Sequence, residues 1–81
     1  MAIGIRLPHI EDKMKYTLIK YDGTMTTRRR MSLEQIQDFV GGYIEIVGNV
    51  ICNEEGRLKK LPLNRALPIF VGNIIIKEEG D

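Results

Sequence analysis

The sequence predicts an α+β fold, in which a small, mostly antiparallel sheet of roughly five to six short strands carries one short helix packed across it. Three observations lead to this prediction. Turn-forming residues recur roughly every 8–12 positions. Short runs rich in branched residues lie between them, and one stretch has the spacing of an amphipathic helix. A small, partly open barrel with the helix as its plug is the alternative arrangement.

The length and composition of the chain limit the class of protein. Its 81 residues form one domain at most, and 43% apolar with 28% charged residues is typical of a folded globular chain. No run approaches the ~18 apolar residues of a membrane span. The single cysteine, Cys52, and the single histidine, His9, leave little for disulfides, metal sites or histidine catalysis. We therefore expect a soluble cytoplasmic protein without a cofactor or metal.

The chain divides into three predicted segments. Residues 1–14 lack a clear period and are interpreted as an N-terminal arm, residues 15–77 as a single domain, and residues 78–81 as a solvated tail. Charge is also divided, because residues 1–30 sum to +4 and residues 31–81 to −3. The pI of about 7.9 is low for a duplex-DNA binder, so nucleic acid is not the expected partner.

The first predicted strands form a hairpin, and a helix follows. Residues 16–21 and 24–29 flank Asp22-Gly23, which predicts a type I′ turn with a positive φ at both positions. The tetrapeptide SLEQ, starting at Ser32, is a capping box. Gly41-Gly42 is expected to end the helix. The predicted buried face of the helix consists of Leu33, Ile36, Phe39 and Val40.

The second half of the chain predicts a meander and a final strand. Side chains of residues 43–47 alternate between the two faces of a predicted strand. Gly48-Asn49 is a candidate type II′ turn, and residues 50–52 form the returning strand. Gly56 is expected to take a positive φ, residues 57–61 to extend the meander, and Asn64 to cap one helical turn at residues 63–67. The apolar run at residues 74–76 predicts a strand buried on both faces.

Two arginine-containing segments form the candidate ligand site. Arg28, Arg29 and Arg30 directly precede the helix start at Ser32. The N–H groups at a helix start attract anions, and guanidinium groups bind phosphate with two hydrogen bonds. The remaining candidates offer an amide, a guanidinium and a stacking ring, and they are Asn64, Arg65 and Tyr43. The alternatives are surface arginines along an alternating strand, a purely structural cap at Asn64 and a core tyrosine.

Catalysis is not indicated by any pattern of residues. Cys52 lies among apolar strand residues and close to acids, which favours a buried, unreactive thiol. Glu54 and Glu55 fit a solvated turn better than an acid–base pair. The sequence thus predicts a non-enzymatic binding protein. A small chain with apolar strands has edges to protect, which favours a homo-oligomer.

Four segments resemble a known family. They are LEQIQ at residues 33–37, VGGYIEIV at 40–47, NEEGRLKKLPLNRAL at 53–67 and VGNIII at 71–76. In this order they are similar to the short phage and mobile-element proteins catalogued as domain of unknown function thirty-eight forty-six. Many members carry an insertion between the LNRA segment and the final strand, whereas residues 67–70 connect the two directly in this sequence. The N-terminal arm looks additional.

The resemblance implies a setting rather than an activity. It implies a viral or mobile-element accessory protein in the cytoplasm of its host cell. Together with the arginine segments, this setting suggests capture of a phosphorylated small molecule, such as a nucleotide immune signal, so that host defence is evaded. The alternative function is a protein–protein interaction module that inhibits or modulates a host protein, steered by the uneven charge.

Overall fold

The computed structural model describes residues 14–79. The described chain contains five strands and one helix, which confirms the predicted α+β class. In chain order they are β1 (Met14–Ile19), β2 (Met25–Arg28), α1 (Leu33–Val40), β3 (Ile44–Val47), β4 (Val50–Asn53) and β5 (Ile74–Glu79). Most of the predicted arm, residues 1–13, and the end of the predicted tail, residues 80–81, lie outside the described residues.

The strands form one antiparallel sheet in the order β2-β1-β5-β4-β3. The last strand in the chain, β5, therefore lies at the centre, between β1 and β4. Within residues 14–79 the sheet is open rather than closed into a barrel, since β2 and β3 are its two ends. Met14 belongs to β1, and Glu78 and Glu79 belong to β5, so the strands extend past residues 15 and 77, the predicted bounds of the domain.

Apolar side chains cover both faces of this sheet. On the helix face, the core is Leu18, Ile36, Val40, Ile51 and Ile75. On the opposite face, it is Ile19, Val50, Cys52 and Ile74, packed against Ala66, Leu67 and Phe70 from the connection between β4 and β5. Ile74 and Ile75 are both 0% exposed. The prediction of a final strand buried on both faces is confirmed, because β5 is central and both faces are covered.

The β1–β2 hairpin has a different turn from the one predicted. Gly23 alone has a positive φ, of 94°, and the loop is closed by a Lys20 N–H that donates to Thr24 O at 2.9 Å. This is the pattern of a three-residue loop with glycine in the left-handed position. The Thr24 N–H donates to Asp22 Oδ1 at 2.9 Å, which lowers the pKa of that carboxyl, and Asp22 itself has a negative φ.

The helix has the predicted ends. Ser32 Oγ accepts from the Gln35 N–H, Gln35 Oε1 accepts from the Ser32 N–H, and Gly41 ends the helix at φ 89°. Ile36 and Val40 are buried, but Leu33 is 59% exposed, so the predicted buried face was one residue too long. Leu33 is the first residue of the helix.

The connection between β4 and β5 departs most from prediction. Residues 57–61 form hydrogen-bonded turns instead of a strand, and the Leu61 N–H donates to Gly56 O. Gly56 does not have a positive φ. It is needed because a Cβ there would lie 2.7 Å from Val71 Cγ2. Residues 63–67 contain no helical turn, although Asn64 Oδ1 does accept from two N–H groups as a cap would.

The β3–β4 hairpin leaves β3 at the edge of the sheet. Gly48 has φ 63° while Asn49 has a negative φ, which agrees with the predicted type II′ turn. Ile44 is half-buried, but Ile46 on the same face is 63% exposed, because the helix does not reach it.

Candidate functional site

The structure places the seven candidate residues in separate regions. Arg29, Arg30 and Ser32 lie together where β2 leads into the helix. Tyr43 lies beyond the other end of the helix, and Arg65 lies at the turn of the β1–β2 hairpin, where its N–H donates to Tyr21 O at 2.9 Å. The hairpin turn and Arg28 are about 13 Å apart along β2. The structure therefore does not bring all seven residues together within one chain.

A groove beside the helix start holds three cationic side chains. We call it the basic groove; its volume is about 610 Å³, and its lining is Met14, Tyr16, Arg29, Arg30, Met31, Ser32, Gln35 and Lys77. None of these described lining residues is acidic. A multiply charged anion is the ligand that such a lining favours.

Strand register brings Lys77 to this groove. Tyr16 in β1 lies directly opposite Lys77 in β5 and opposite Arg28 in β2. Ile75 packs on the helix face, and side chains two apart on a strand share a face, so Lys77 also points to the helix side. Sequence reasoning missed Lys77 because the predicted final strand, residues 74–76, stopped one residue short of it. Extended by one residue, its alternation would have placed Lys77 on the same face as Ile75.

The helix start contributes less to the groove than predicted. The capping box already binds the Ser32 and Gln35 N–H groups, so neither is offered to an anion. Glu34 in the first turn adds a negative charge there. The Ser32 hydroxyl and the Gln35 side-chain NH₂ still carry hydrogens that could be donated into the groove. Cationic side chains rather than the helix dipole thus define this site.

Arg28 and Tyr43 do not line the basic groove. Arg28 is exposed on the edge strand β2. Tyr43 is 71% exposed, so the core role considered for it is wrong, and it lines a shallow groove that also holds Asp38, Glu55 and Lys59. That groove is of mixed charge and carries no preference for phosphate.

Asn64 is a structural residue and not a ligand residue. Its side chain is 0% exposed. Its Nδ2 donates to the carbonyls of Ile19, Lys20 and Gly72 at 3.2, 3.3 and 2.9 Å. Its Oδ1 accepts from the N–H groups of Ala66 and Leu67 at 3.0 and 3.1 Å. No ligand can reach this amide, so the structural alternative considered for Asn64 holds.

Cys52 and its acidic neighbours form no reactive centre. The thiol is 7% exposed and donates weakly to Glu45 O at 3.6 Å. Burial raises the pKa of the Cys52 thiol, and the nearby Glu45 charge adds to the effect. Within residues 14–79, no three His, Cys, Asp or Glu side chains come together to hold a metal ion.

We expect Cys52 to react with a thiol reagent about 100-fold more slowly in the native protein than in urea. Because folding raises its pKa, its contribution to stability is fully present below the ordinary value of 9.0 and is lost as the pH rises above it. Urea midpoints at pH 7 and pH 10 test this, with Cys52→Val as the non-titrating control. An equal loss of stability in both proteins would contradict the assignment.

An apolar groove continues from the basic groove along the helix face. Its volume is about 400 Å³. Met14, Tyr16 and Lys77 line both grooves, and the apolar floor adds Ile36, Ile44, Ile46 and Ile51. Tyr16 is half-buried against the core at the junction, which holds its ring in place. A ligand with a phosphate at one end and an aromatic or apolar group at the other fits this pair of grooves.

A family model that matches nearly the whole chain shows which family the protein belongs to. The family model described as "Domain of unknown function (DUF3846)" matches residues 10–81. The chain belongs to this family. The match begins within the predicted arm and covers all five strands, so the DUF3846 region is longer at both ends than the motifs indicated. No curated protein and no solved structure gives a significant match. No helix within residues 14–79 is long and apolar enough to cross a membrane.

Proposed function

We propose that this DUF3846 protein is a non-enzymatic binding protein that captures a phosphorylated small molecule in the basic groove. One observation carries the proposal. Arg29 and Arg30 from the β2–α1 connection and Lys77 from β5 line one groove, so three cationic side chains meet there. The groove that Arg57 lines also contains Glu45 and Glu54.

A nucleotide is the ligand class that the neighbouring surface supports. The phosphates would lie against the three cations, and the base would lie against Tyr16 and the apolar groove. Stacking of a base on an aromatic ring contributes about 1–3 kcal/mol. In a viral or mobile-element setting, sequestering a nucleotide immune signal would protect the element from host defence.

Thermal shift with defined probes tests the proposal. The probes are inorganic pyrophosphate, adenosine diphosphate-ribose and a cyclic dinucleotide. A ligand at a hundred times its Kd stabilises the folded state by about 2.7 kcal/mol. For a domain of this size, that raises Tm by roughly 10–20 °C. Failure of all three probes to raise Tm would contradict the proposal.

Matched lysine variants locate the site. Lys77→Ala removes one charge-assisted hydrogen bond to phosphate, so we expect the affinity for the bound probe to fall about tenfold to a hundredfold. Lys20→Ala makes the same change on an exposed residue at the hairpin turn and is expected to leave affinity unchanged. Arg65→Ala is a second control, since Arg65 also lies away from the groove. Equal losses for Lys77→Ala and Lys20→Ala would mean that bulk charge, not this groove, binds the probe.

Binding to a host protein is the second candidate function. It is favoured by large apolar side chains exposed on the β4–β5 connection, where Leu58 is 81% and Ile69 is 72% exposed. In this case, Arg29→Glu and Arg65→Glu would mainly slow association, and the slowing would shrink as salt rises. In the nucleotide case, Arg29→Glu abolishes the thermal shift and Arg65→Glu does not.

A further inference from the structure

The edge strand β3 exposes apolar side chains on both of its faces. Ile46 is 63% exposed on the helix face, and Val47 is 47% exposed on the opposite face. We propose that β3 pairs antiparallel with β3 of a second copy of this chain, so that the two sheets join edge to edge in a dimer. This proposal does not use the cations of the basic groove, although Ile46 also lines the adjoining apolar groove.

The two edges of the sheet differ in a way that selects β3. The other edge, β2, has the sequence MTTR, is exposed along its length and continues into two further arginines. The three consecutive like-charged arginine side chains at the end of β2 disfavour pairing of this edge with its own copy. β3 has the sequence IEIV, with a single charge at Glu45. An edge of this composition is one that folded proteins normally cover.

Hairpin geometry determines which backbone groups of β3 face outward. Val47 and Val50 close a two-residue turn, and the Glu54 N–H donates to Tyr43 O at 2.9 Å. Odd-numbered residues of β3 therefore direct their N–H and C=O groups toward β4. The even-numbered residues of β3 direct their backbone N–H and C=O groups away from β4. Ile44 and Ile46 therefore present these groups to a partner strand.

Symmetry and charge then select the register. A two-fold axis between two antiparallel copies of β3 pairs side chains that lie on the same face of the joined sheet. The axis therefore passes beside one residue of β3, and that residue lies opposite the same residue of the second copy. Centred on Ile46, the axis places Ile46 opposite the second copy's Ile46 in a hydrogen-bonded pair, and Glu45 opposite the second copy's Val47. Centred on Glu45, it would place two carboxylates directly opposite each other, which is destabilising. The Ile46 register is the one we propose.

The interface in this register is small. Exposed Ile69 lines a groove with Glu45 and Val47 and extends the apolar area on the face opposite the helix. An area at the low end of specific interfaces implies a weak, concentration-dependent dimer rather than a permanent one. We expect monomer and dimer to exchange in the micromolar range.

Sedimentation equilibrium of the full chain over a concentration series tests the dimer. The expected result is a weight-average mass that rises from 9.3 kDa toward twice that value between about 1 µM and 500 µM. A mass that stays at 9.3 kDa at the highest concentration would overturn the proposal. So would a mass that rises past the dimer, because a closed two-fold interface stops there.

Charge variants at the axis locate the interface. Ile46→Lys places two lysines face to face, and we expect it to weaken dimerisation at least tenfold while circular dichroism shows an unchanged fold. Thr26→Lys is the matched control, because Thr26 occupies the corresponding exposed position on β2, in the same row across the sheet. Mixing Ile46→Lys with Ile46→Glu is expected to restore association as a heterodimer. Failure of the mixture to associate, or equal weakening by Thr26→Lys, would overturn the proposed register.

Discussion

Replacing Asn64 with alanine is expected to lower the free energy of unfolding by about 3–5 kcal/mol. The substitution leaves three carbonyls and two N–H groups of the backbone without their side-chain partner. Each buried polar group left unsatisfied costs about 1–3 kcal/mol. An 81-residue domain has only about 4–12 kcal/mol in total, so the variant would lose much of its stability.

Thermal and urea unfolding measure this effect. We expect Tm to fall by more than about 12 °C. Arg65→Ala, at the exposed neighbouring residue, should change stability by no more than about 0.5 kcal/mol. Asn64→Asp keeps the acceptor and loses the amide donor, so at pH 7 it should also be strongly destabilised. If Asn64→Asp were as stable as the native protein, the three donated hydrogen bonds would not be what holds the connection in place.

Replacing Gly56 with alanine is expected to cost about 2 kcal/mol through a steric clash. The new Cβ would lie 2.7 Å from Val71 Cγ2 and 3.4 Å from Asn53 O. Valine is stiff at χ1, so its methyl group cannot rotate away without strain. Overpacking of this kind costs about 1–3 kcal/mol, which lowers Tm by roughly 8–16 °C for a domain of this size.

A double-mutant cycle separates the clash from other causes. Val71→Ala removes the methyl group that the new Cβ meets. We expect Gly56→Ala and Val71→Ala together to be less destabilising than the sum of the two single changes, with a coupling above about 0.5 kcal/mol. Strict additivity of the two changes would show that Gly56 is required for a reason other than its approach to Val71.

Three buried or half-buried asparagines show that polar residues in the family motifs serve the fold. Asn53, Asn64 and Asn73 lie in the NEEG, LNRA and VGN segments, respectively. The amides of Asn53 and Asn73 donate to the carbonyls of Val40 and Phe39 near the helix end, at 3.0 Å in both cases. These side chains attach the helix and the long connection to the sheet. From sequence, a polar residue in a motif looks the same whether it binds backbone or ligand.

The sequence alone determined the elements whose signals are local. The capping box at Ser32, the left-handed glycine at Gly41 and the apolar run at residues 74–76 each depend on a few adjacent residues, and each has the predicted outcome. The arginines beside the helix start were also found in this way, because Arg29, Arg30 and Ser32 are close in the chain. Such features can be predicted without knowledge of the fold because the interacting residues are neighbours in the sequence.

Only the tertiary structure decided the composition of the site and the exposure of its candidates. Lys77 reaches the basic groove because β5 inserts between β1 and β4 and pairs Lys77 with Tyr16, a contact 61 positions apart in the chain. Asn64 is buried because the connection folds back over the hairpin turn, and Ile46 is exposed because β3 ends the sheet beyond the reach of the helix. Strand order and the path of the connection are set by the packing of distant segments, and no local pattern encodes that.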